Sequence, residues 1–318
     1  MTATGSPTAS DRAASDRAAS RRAGAGRAEP RGLELSVAVA LGRWAAVRIR
    51  RDASARARGE GREGDRVKAD AADLVTGTDE AVEQHVRRTL VEHFPRHGVL
   101  GEEFGARDAA PGQPVWVVDP VDGTTNFAHG LGWSAFSIGL SDADGPALGV
   151  VVDPWRNELF SAARGRGARC NGRRLRPLKG RAGLAGQLVL TEWAGHLPWS
   201  GMTEVLTQLQ AGDCTVRVMG STALSLVQVA AGRACAAMIG AYHPIDALPA
   251  ALIGIEAGAL ALDRAAGVAA VPGELPADGG ALLLTSPAVS AELAQLWSAA
   301  GPAGRAPATQ PAGSVPAE

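Results

Sequence analysis

Leu33, Leu35, Val37, Val39, Leu41 and Trp44 recur along a segment that runs on into arginines up to about Arg58, which predicts a first helix with a basic, solvated end. A second helix is predicted over about 79–93. The pattern then changes to short apolar runs bounded by turn residues, at 115–119, 134–140, 147–152 and 158–162. The spacer Asp153-Pro154-Trp155-Arg156-Asn157 between the last two reads as a hairpin turn. Further on, strand-like stretches at 187–191, 215–218, 236–239 and 282–285 alternate with helix-like ones at 221–231, 247–257 and 288–299. Strands cluster first and alternate with helices later, so the expected architecture is a layered α/β fold in two abutting halves, about 33–180 and 181–300.

Composition sharpens the boundaries of this unit. Residues 1–32 hold a duplicated Ser-Asp-Arg-Ala-Ala in an Ala/Arg/Ser/Gly-rich stretch without Ile, Val, Phe or Trp. Such a segment buries too little apolar surface to offset the entropy of ordering, and reads as a disordered N-terminal extension. Its six Arg against three acids could touch an acidic partner, but a solvated tail is the plainer reading. Residues 301–318, with Pro302, Pro307, Pro311 and Pro316 among Ala and Gly, read as a second disordered tail. The folded unit is therefore expected over 33–300. At about 150 residues per domain, 318 residues suggest two lobes and a sizeable core.

Charge and cysteine usage exclude several classes. A net charge of -1 without a long one-signed run argues against a nucleic-acid binder. No apolar stretch reaches the roughly 18 residues of a membrane helix, and the N-terminus lacks the layout of a secretory signal, so the expectation is a soluble cytoplasmic protein. Cys170, Cys214 and Cys235 form no C-x-x-C pair and read as reduced thiols in or near the core. The histidines form no H-E-x-x-H, which leaves no histidine-rich metal site in view.

The stretch Val115 to Gly130, V-W-V-V-D-P-V-D-G-T-T-N-F-A-H-G, carries the chemistry. Four apolar residues predict a buried strand ending at Asp119. Pro120 turns the chain, so Asp119 and Asp122 can converge on one point. Gly123 permits close backbone approach to a ligand, and Thr124 adds a hydroxyl where exposed amides attract anions. Two carboxylates, a Gly-Thr and unpaired amides describe a divalent cation beside a phosphate, and the hard oxygen donors favour Mg²⁺ over zinc. Taken alone, D-P-x-D-G-T is equally an Asx-stabilised turn. Gly101-Glu102-Glu103-Phe104-Gly105 is by default a solvated loop, Asp79 a helix N-cap residue, and Asp246 after His243-Pro244-Ile245 another.

The order and spacing of these segments together resemble the inositol monophosphatase family of Mg²⁺-dependent, lithium-sensitive-type phosphomonoesterases. The motifs are D-L-V-T-x-x-D ending at Asp79, G-E-E at 101–103, W-x-x-D-P-x-D-G-T-T-N-F from Trp116, G-x-G-A-x-x-N-G at 165–172, and D-x-x-x-A-x-x-x-x-x-E-A-G from Asp246. The resemblance covers about 33–300 and implies a layered α-β-α-β-α sandwich, usually a homodimer. By position it implies metal ligation by Glu102, Asp119, Asp122, Asp246 and the Val121 carbonyl, holding two or three Mg²⁺ ions. It makes Thr124, Asp79 and Glu102 the catalytic groups, Thr124 and Asp79 orienting the attacking water. Substrate contacts would come from Asp122, Gly123, Thr124, Gly220, Ser221, Thr222 and Asp246. Clustered carboxylates also argue for cations independently, since their mutual repulsion is costly unless neutralised.

Two departures weaken inositol as the alcohol. Ile245 stands where the family commonly has a tryptophan before the aspartate, and Ile239 aligns where inositol-specific members carry a hydroxyl-binding glutamate. The expected function is hydrolysis of a small phosphorylated alcohol, inositol phosphate-like, with histidinol phosphate, fructose 1,6-bisphosphate or a 3'-phosphonucleotide as alternatives. A non-catalytic binding or regulatory member is the rival from another class. No G-x-S-x-G supports a nucleophilic hydrolase, and Gly165-Arg166-Gly167 is followed by Cys170 where a G-x-G-x-x-G needs its third glycine. The expected partner is a small phosphorylated substrate, with no nucleic acid and no membrane.

Overall fold

The computed structural model describes residues 31–61, 64–67, 74–175, 180–194, 197–264, 269–270 and 280–300. The expected N-terminal extension, except Arg31 and Gly32, and the 301–318 tail lie outside the described residues, as do Asp73 and His196. Helix α1 (Gly32–Ala57), the short antiparallel pair β1 (Arg66–Val67) and β2 (Leu74–Val75), and helix α2 (Gly77–His93) come first. Then follow β3 (Gly98–Gly101), β4 (Gly105–Arg107), β5 (Val115–Asp122), the short α3 (Thr124–Ala128), β6 (Ala135–Asp142), β7 (Gly145–Asp153), β8 (Glu158–Ala163), β9 (Ala168–Cys170) and β10 (Arg173–Arg174). Strands β3 to β10 form an eight-stranded sheet in the order β10-β9-β8-β7-β6-β5-β3-β4, antiparallel except for the β3–β5 pair.

The chain continues with β11 (Leu188–Thr191), α4 (Met202–Ala211), β12 (Thr215–Val218), α5 (Thr222–Ala230), β13 (Ala236–Tyr242), α6 (Pro244–Glu256), β14 (Leu260–Asp263), β15 (Ala269–Ala270), β16 (Gly280–Thr285) and α7 (Ser290–Ala299). Its strands make a six-stranded sheet in the order β12-β11-β13-β16-β14-β15.

Period-two alternation distributes these strands between three cores. Trp116 and Val118 of β5 and Leu148 and Val150 of β7 pack with Leu41 and Ile49 of α1 and Val82 and Val86 of α2. The opposite face, with Val151 of β7 and Phe160 of β8, meets α5 and α6. The far side of those helices is closed by Ala237 and Ile239 of β13 and Leu282 and Leu284 of β16. Their strand neighbours Ala236, Met238 and Leu283 turn the other way, onto Val205 of α4 and Leu293 of α7. The layers are thus helices, sheet, helices, sheet, helices. Helix α6 is buried on nearly every side (Ala247, Leu248, Ala250, Leu252 and Ile253), as a helix between two sheets must be. Each such leucine or isoleucine contributes about 1.5–3 kcal/mol on burial.

Several boundaries differ from the sequence expectation. Strand β5 does not stop at Asp119 but continues to Asp122, because the missing N–H of Pro120 falls where the β5–β6 register shifts, between Asp119 and Asp122. Helix α6 starts at Pro244, three residues early, since proline suits the first turn and His243 Nδ1 accepts the Ile245 N–H at 3.4 Å. The expected helix at 288–299 is a 3₁₀ turn, Pro287–Val289, leading into α7. Helix α4 was not expected, although Met202, Val205 and Leu209 lie at helical spacing and are buried. All three cysteines are free thiols, and burial pushes Cys235 up to about 12. Among the described residues no helix is long and apolar enough to cross a membrane.

Candidate active site

The end of β5 builds the centre of the site. The register shift carries Asp119 and Asp122 into one buried region, and Asp119 Oδ1 accepts the Val121 N–H at 2.9 Å in an Asx turn. Gly123 then takes φ 87°, and a Cβ there would lie 2.7 Å from the Gly220 carbonyl oxygen. Only glycine lets the β5 turn and the turn before α5 touch. Asn126 reinforces the seam by donating to the carbonyls of Trp133 and Met219, both at 2.8 Å.

Asp79 reaches this turn from α2. Its Oδ2 accepts the Thr76 N–H at 3.0 Å and completes a capping box, while Oδ1 lies 3.0 Å from Thr124 Oγ1. The same hydroxyl is 2.9 Å from the Val121 carbonyl, so its single proton has two acceptors to choose between. Burial, opposed by the Thr76 hydroxyl and reinforced by the charge of Glu102, pushes Asp79 up to about 7. Arg56 at the end of α1 backs this corner: it binds Asp65 through two hydrogen bonds, at 2.8 and 2.6 Å, and lies 5.3 Å from the Phe127 ring centre.

The start of α5 supplies donors. Ser221, its N-cap, donates its hydroxyl to Asp122 Oδ2, and the amides of Thr222 and Ala223 donate to Asp122 at 3.1 and 2.8 Å. Burial raises Asp122 and these three bonds oppose the rise. Asp119 stands well above the ordinary carboxylate range, driven by burial and then by the charges of Glu102, Asp122 and Asp246. Asp246 lies in the first turn of α6, beside His243, which burial lowers.

The site thus gathers Asp79, Glu102, Asp119, Val121, Asp122, Gly123, Thr124, Gly220, Ser221, Thr222 and Asp246. Among the described residues no three acids, histidines or cysteines close on one point tightly enough to hold an ion as they stand. Asp122 is bonded to the start of α5 and Asp79 to Thr76. The donor set nonetheless suits a hard divalent cation, since it consists of oxygens, and the charge crowding on Asp119 is relieved by positive charge.

Sequence reasoning missed Glu192, one residue beyond β11. It is 5% exposed, accepts the Gly220 N–H and, at 2.5 Å, the Ser225 hydroxyl, and burial pushes it up to about 8. An acid directly after an apolar strand was the available signal. Ile239 faces the core between β13 and α5, fully buried, and not a ligand space; Ile245 is likewise buried.

Comparison with known proteins supports one family. The model of the inositol monophosphatase family matches residues 34–300. Inositol monophosphatase 1 of Sus scrofa is 33% identical over 208 residues, 63% of this chain and 75% of its own. Inositol monophosphatase 2 of Homo sapiens is 37% identical over 207 residues, 63% of this chain and 72% of its own. The crystal structure of the extragenic suppressor protein suhB from Bartonella henselae superposes with a TM-score of 0.72 at 29% identity, covering 82% of this chain and 97% of that one.

Proposed function

The chain belongs to the inositol monophosphatase family of phosphomonoesterases, and from that premise we propose that it uses Mg²⁺ to hydrolyse a small phosphorylated alcohol other than inositol phosphate as its preferred substrate. The observation that carries the reading is the 3.0 Å hydrogen bond joining Thr124 to Asp79, made across 45 positions of sequence beside the acids of β5. Thr124 Oγ1 is suited to hold a water molecule against the phosphorus while Asp79 Oδ1 receives the proton that the hydroxyl passes on. Ser221 and the amides of Thr222 and Ala223 favour the ionised form of Asp122. Gly123, Thr124, Gly220, Ser221 and Thr222 line the phosphate side. Glu102, Asp119, Asp122, Asp246 and the Val121 carbonyl would hold the cation, whose contribution when bound is to neutralise the phosphate dianion and acidify water.

The alcohol side supports a substrate other than inositol phosphate, because Ile239 turns into the core and neither it nor Ile245 puts an acceptor into the site. Histidinol phosphate, fructose 1,6-bisphosphate and 3'-phosphonucleotides are the candidates. The family resemblance implies a homodimer and the sequence reading a cytoplasmic protein, to be checked by sedimentation and cell fractionation. The main test is phosphate release from a phosphomonoester panel, in Mg²⁺ and in EDTA. Activity is expected only with Mg²⁺; full activity in EDTA overturns the metal requirement, and inositol 1-phosphate as the best substrate overturns the assignment of the alcohol.

A further inference from the structure

One turn beyond Asp79, helix α2 carries a second buried acid that touches none of the groups assigned to the reaction. Glu83 is 0% exposed. Its Oε2 accepts the Glu103 N–H at 2.7 Å, and its Oε1 accepts the Phe104 N–H at 3.2 Å and Arg87 Nε at 2.7 Å. Arg87 in turn donates to the Gly105 carbonyl, and its guanidinium lies 5.9 Å from the Phe104 ring centre. On the other side of the turn, a Cβ at Gly101 would lie 2.0 Å from Glu83 Oε1, so the carboxylate occupies the space that this glycine leaves. Apart from the Glu83–Arg87 pair itself, these contacts fall on Gly101 and on residues 103–105, on either side of Glu102.

An i,i+4 pair between Glu83 and Arg87 would by itself only steady a helix. Here the acceptor oxygens are spent on the amides of the neighbouring turn, and a buried carboxylate is tolerated because the amides and the guanidinium satisfy it. Asp79 and Glu83 share one face of α2, so a single rigid element sets the distance between the group bonded to Thr124 and the turn bearing Glu102. We propose that Glu83, seated in the space left by Gly101, is a positioning residue that fixes the 101–105 turn so that Glu102 can ligate a divalent cation. This rests on the metal reading given above.

The experiment uses the full chain and the variants Glu83→Gln, Glu83→Ala and Gly101→Ala. Calorimetric titration with Mg²⁺ alone gives the dissociation constant, phosphate release against Mg²⁺ concentration gives the half-saturation point, and melting in EDTA gives stability. Loss of a group that orients a ligand costs about 10–100-fold in metal affinity, and that is the weakening expected for Glu83→Ala. Glu83→Gln should lie between it and the unaltered chain, because the amide oxygen still accepts from one side of the turn. Gly101→Ala should resemble Glu83→Ala although both carboxylates remain, since the methyl group displaces Glu83. If Glu83→Ala does not fold, the other two variants decide. Mg²⁺ affinity within about twofold of the unaltered chain, with only the melting temperature lowered, makes Glu83 a stabilising residue alone and overturns the proposal. An unaltered chain that takes up no Mg²⁺ overturns the metal reading instead.

Discussion

From the eight-stranded sheet and its helix α2 the site receives Asp79, Glu102, Asp119, Asp122 and Thr124; from the six-stranded side it receives Glu192, Gly220, Ser221, Thr222 and Asp246. The first set is dense in charge, and its members raise one another's affinity for protons. The second set supplies the Ser221 hydroxyl and the Thr222 amide, which turn towards Asp122, and the Gly220 amide, which turns towards Glu192, with isoleucines at the two positions where inositol-specific and common family patterns would place polar or aromatic groups. On the proposed reading both sets handle phosphate and cation, and what can change while the carboxylates of β5 are kept is the pair of positions 239 and 245.

The sharpest break in this comparison is Asp119→Asn, which removes charge from the first set only. Turnover should fall by at least ~10², the loss of several kcal/mol of charge stabilisation, while the far-ultraviolet circular dichroism spectrum is retained. A variant within about threefold of the unaltered chain would show that Asp119 lies outside the chemistry. Next come Thr124→Ala and Asp79→Asn, each expected to lower kcat on the order of 10² with little change in Mg²⁺ affinity. As partners in one hydrogen bond their effects should not multiply, and a double variant whose losses do multiply breaks the pair.

On the second side the expected effects are smaller. Relative to the best phosphomonoester, kcat/KM for inositol 1-phosphate should be lower by roughly three- to tenfold, the worth of one missing acceptor. Ile239→Glu should not restore it. Its carboxylate would enter the core between β13 and α5, so the readout is a lowered melting temperature without a gain for inositol.

The smallest effect is a pH dependence at Glu192, read on metal-free protein. Its pKa rises from an ordinary 4.5 to about 8 on folding, so between those values the native state holds a proton that the unfolded state has lost. Stability from this group is full below pH 4.5 and drains away as pH rises towards 8. Glu192→Gln, which copies the neutral acid, should show a shallower fall in melting temperature over that window. Parallel profiles for the two proteins would mean that Glu192 is ionised in the fold.

The same asymmetry governs what could be read from the chain. The first set was legible because its chemistry is local: an apolar strand, Pro120 and two acids three positions apart mark a turn whatever surrounds them. Even there the expected strand ended too soon, since Pro120 falls at a bulge that only the pairing with β6 creates. The long helices α1, α2 and α5 were legible by their apolar period. Helix α4 was missed between Gly201 and Gly212, and β3 and β4 are too short to show a period. Glu192 and the inward turn of Ile239 depend on which strand lies alongside which, and no local pattern encodes that.

The bond from Ser221 to Asp122 joins positions 99 residues apart, and the neighbouring amides of Thr222 and Ala223 reach back 100 and 101. Contacts of such separation pay their loop-closure entropy before they return any stabilisation, and they form late. During refolding, helical signal and β5–β6 pairing should therefore recover before phosphatase activity does. On the ribosome, the carboxylates of β5 emerge and must wait through the synthesis of β6 to β12 before their donors exist. Catalytic competence thus marks the moment when the two sheets dock across α5 and α6.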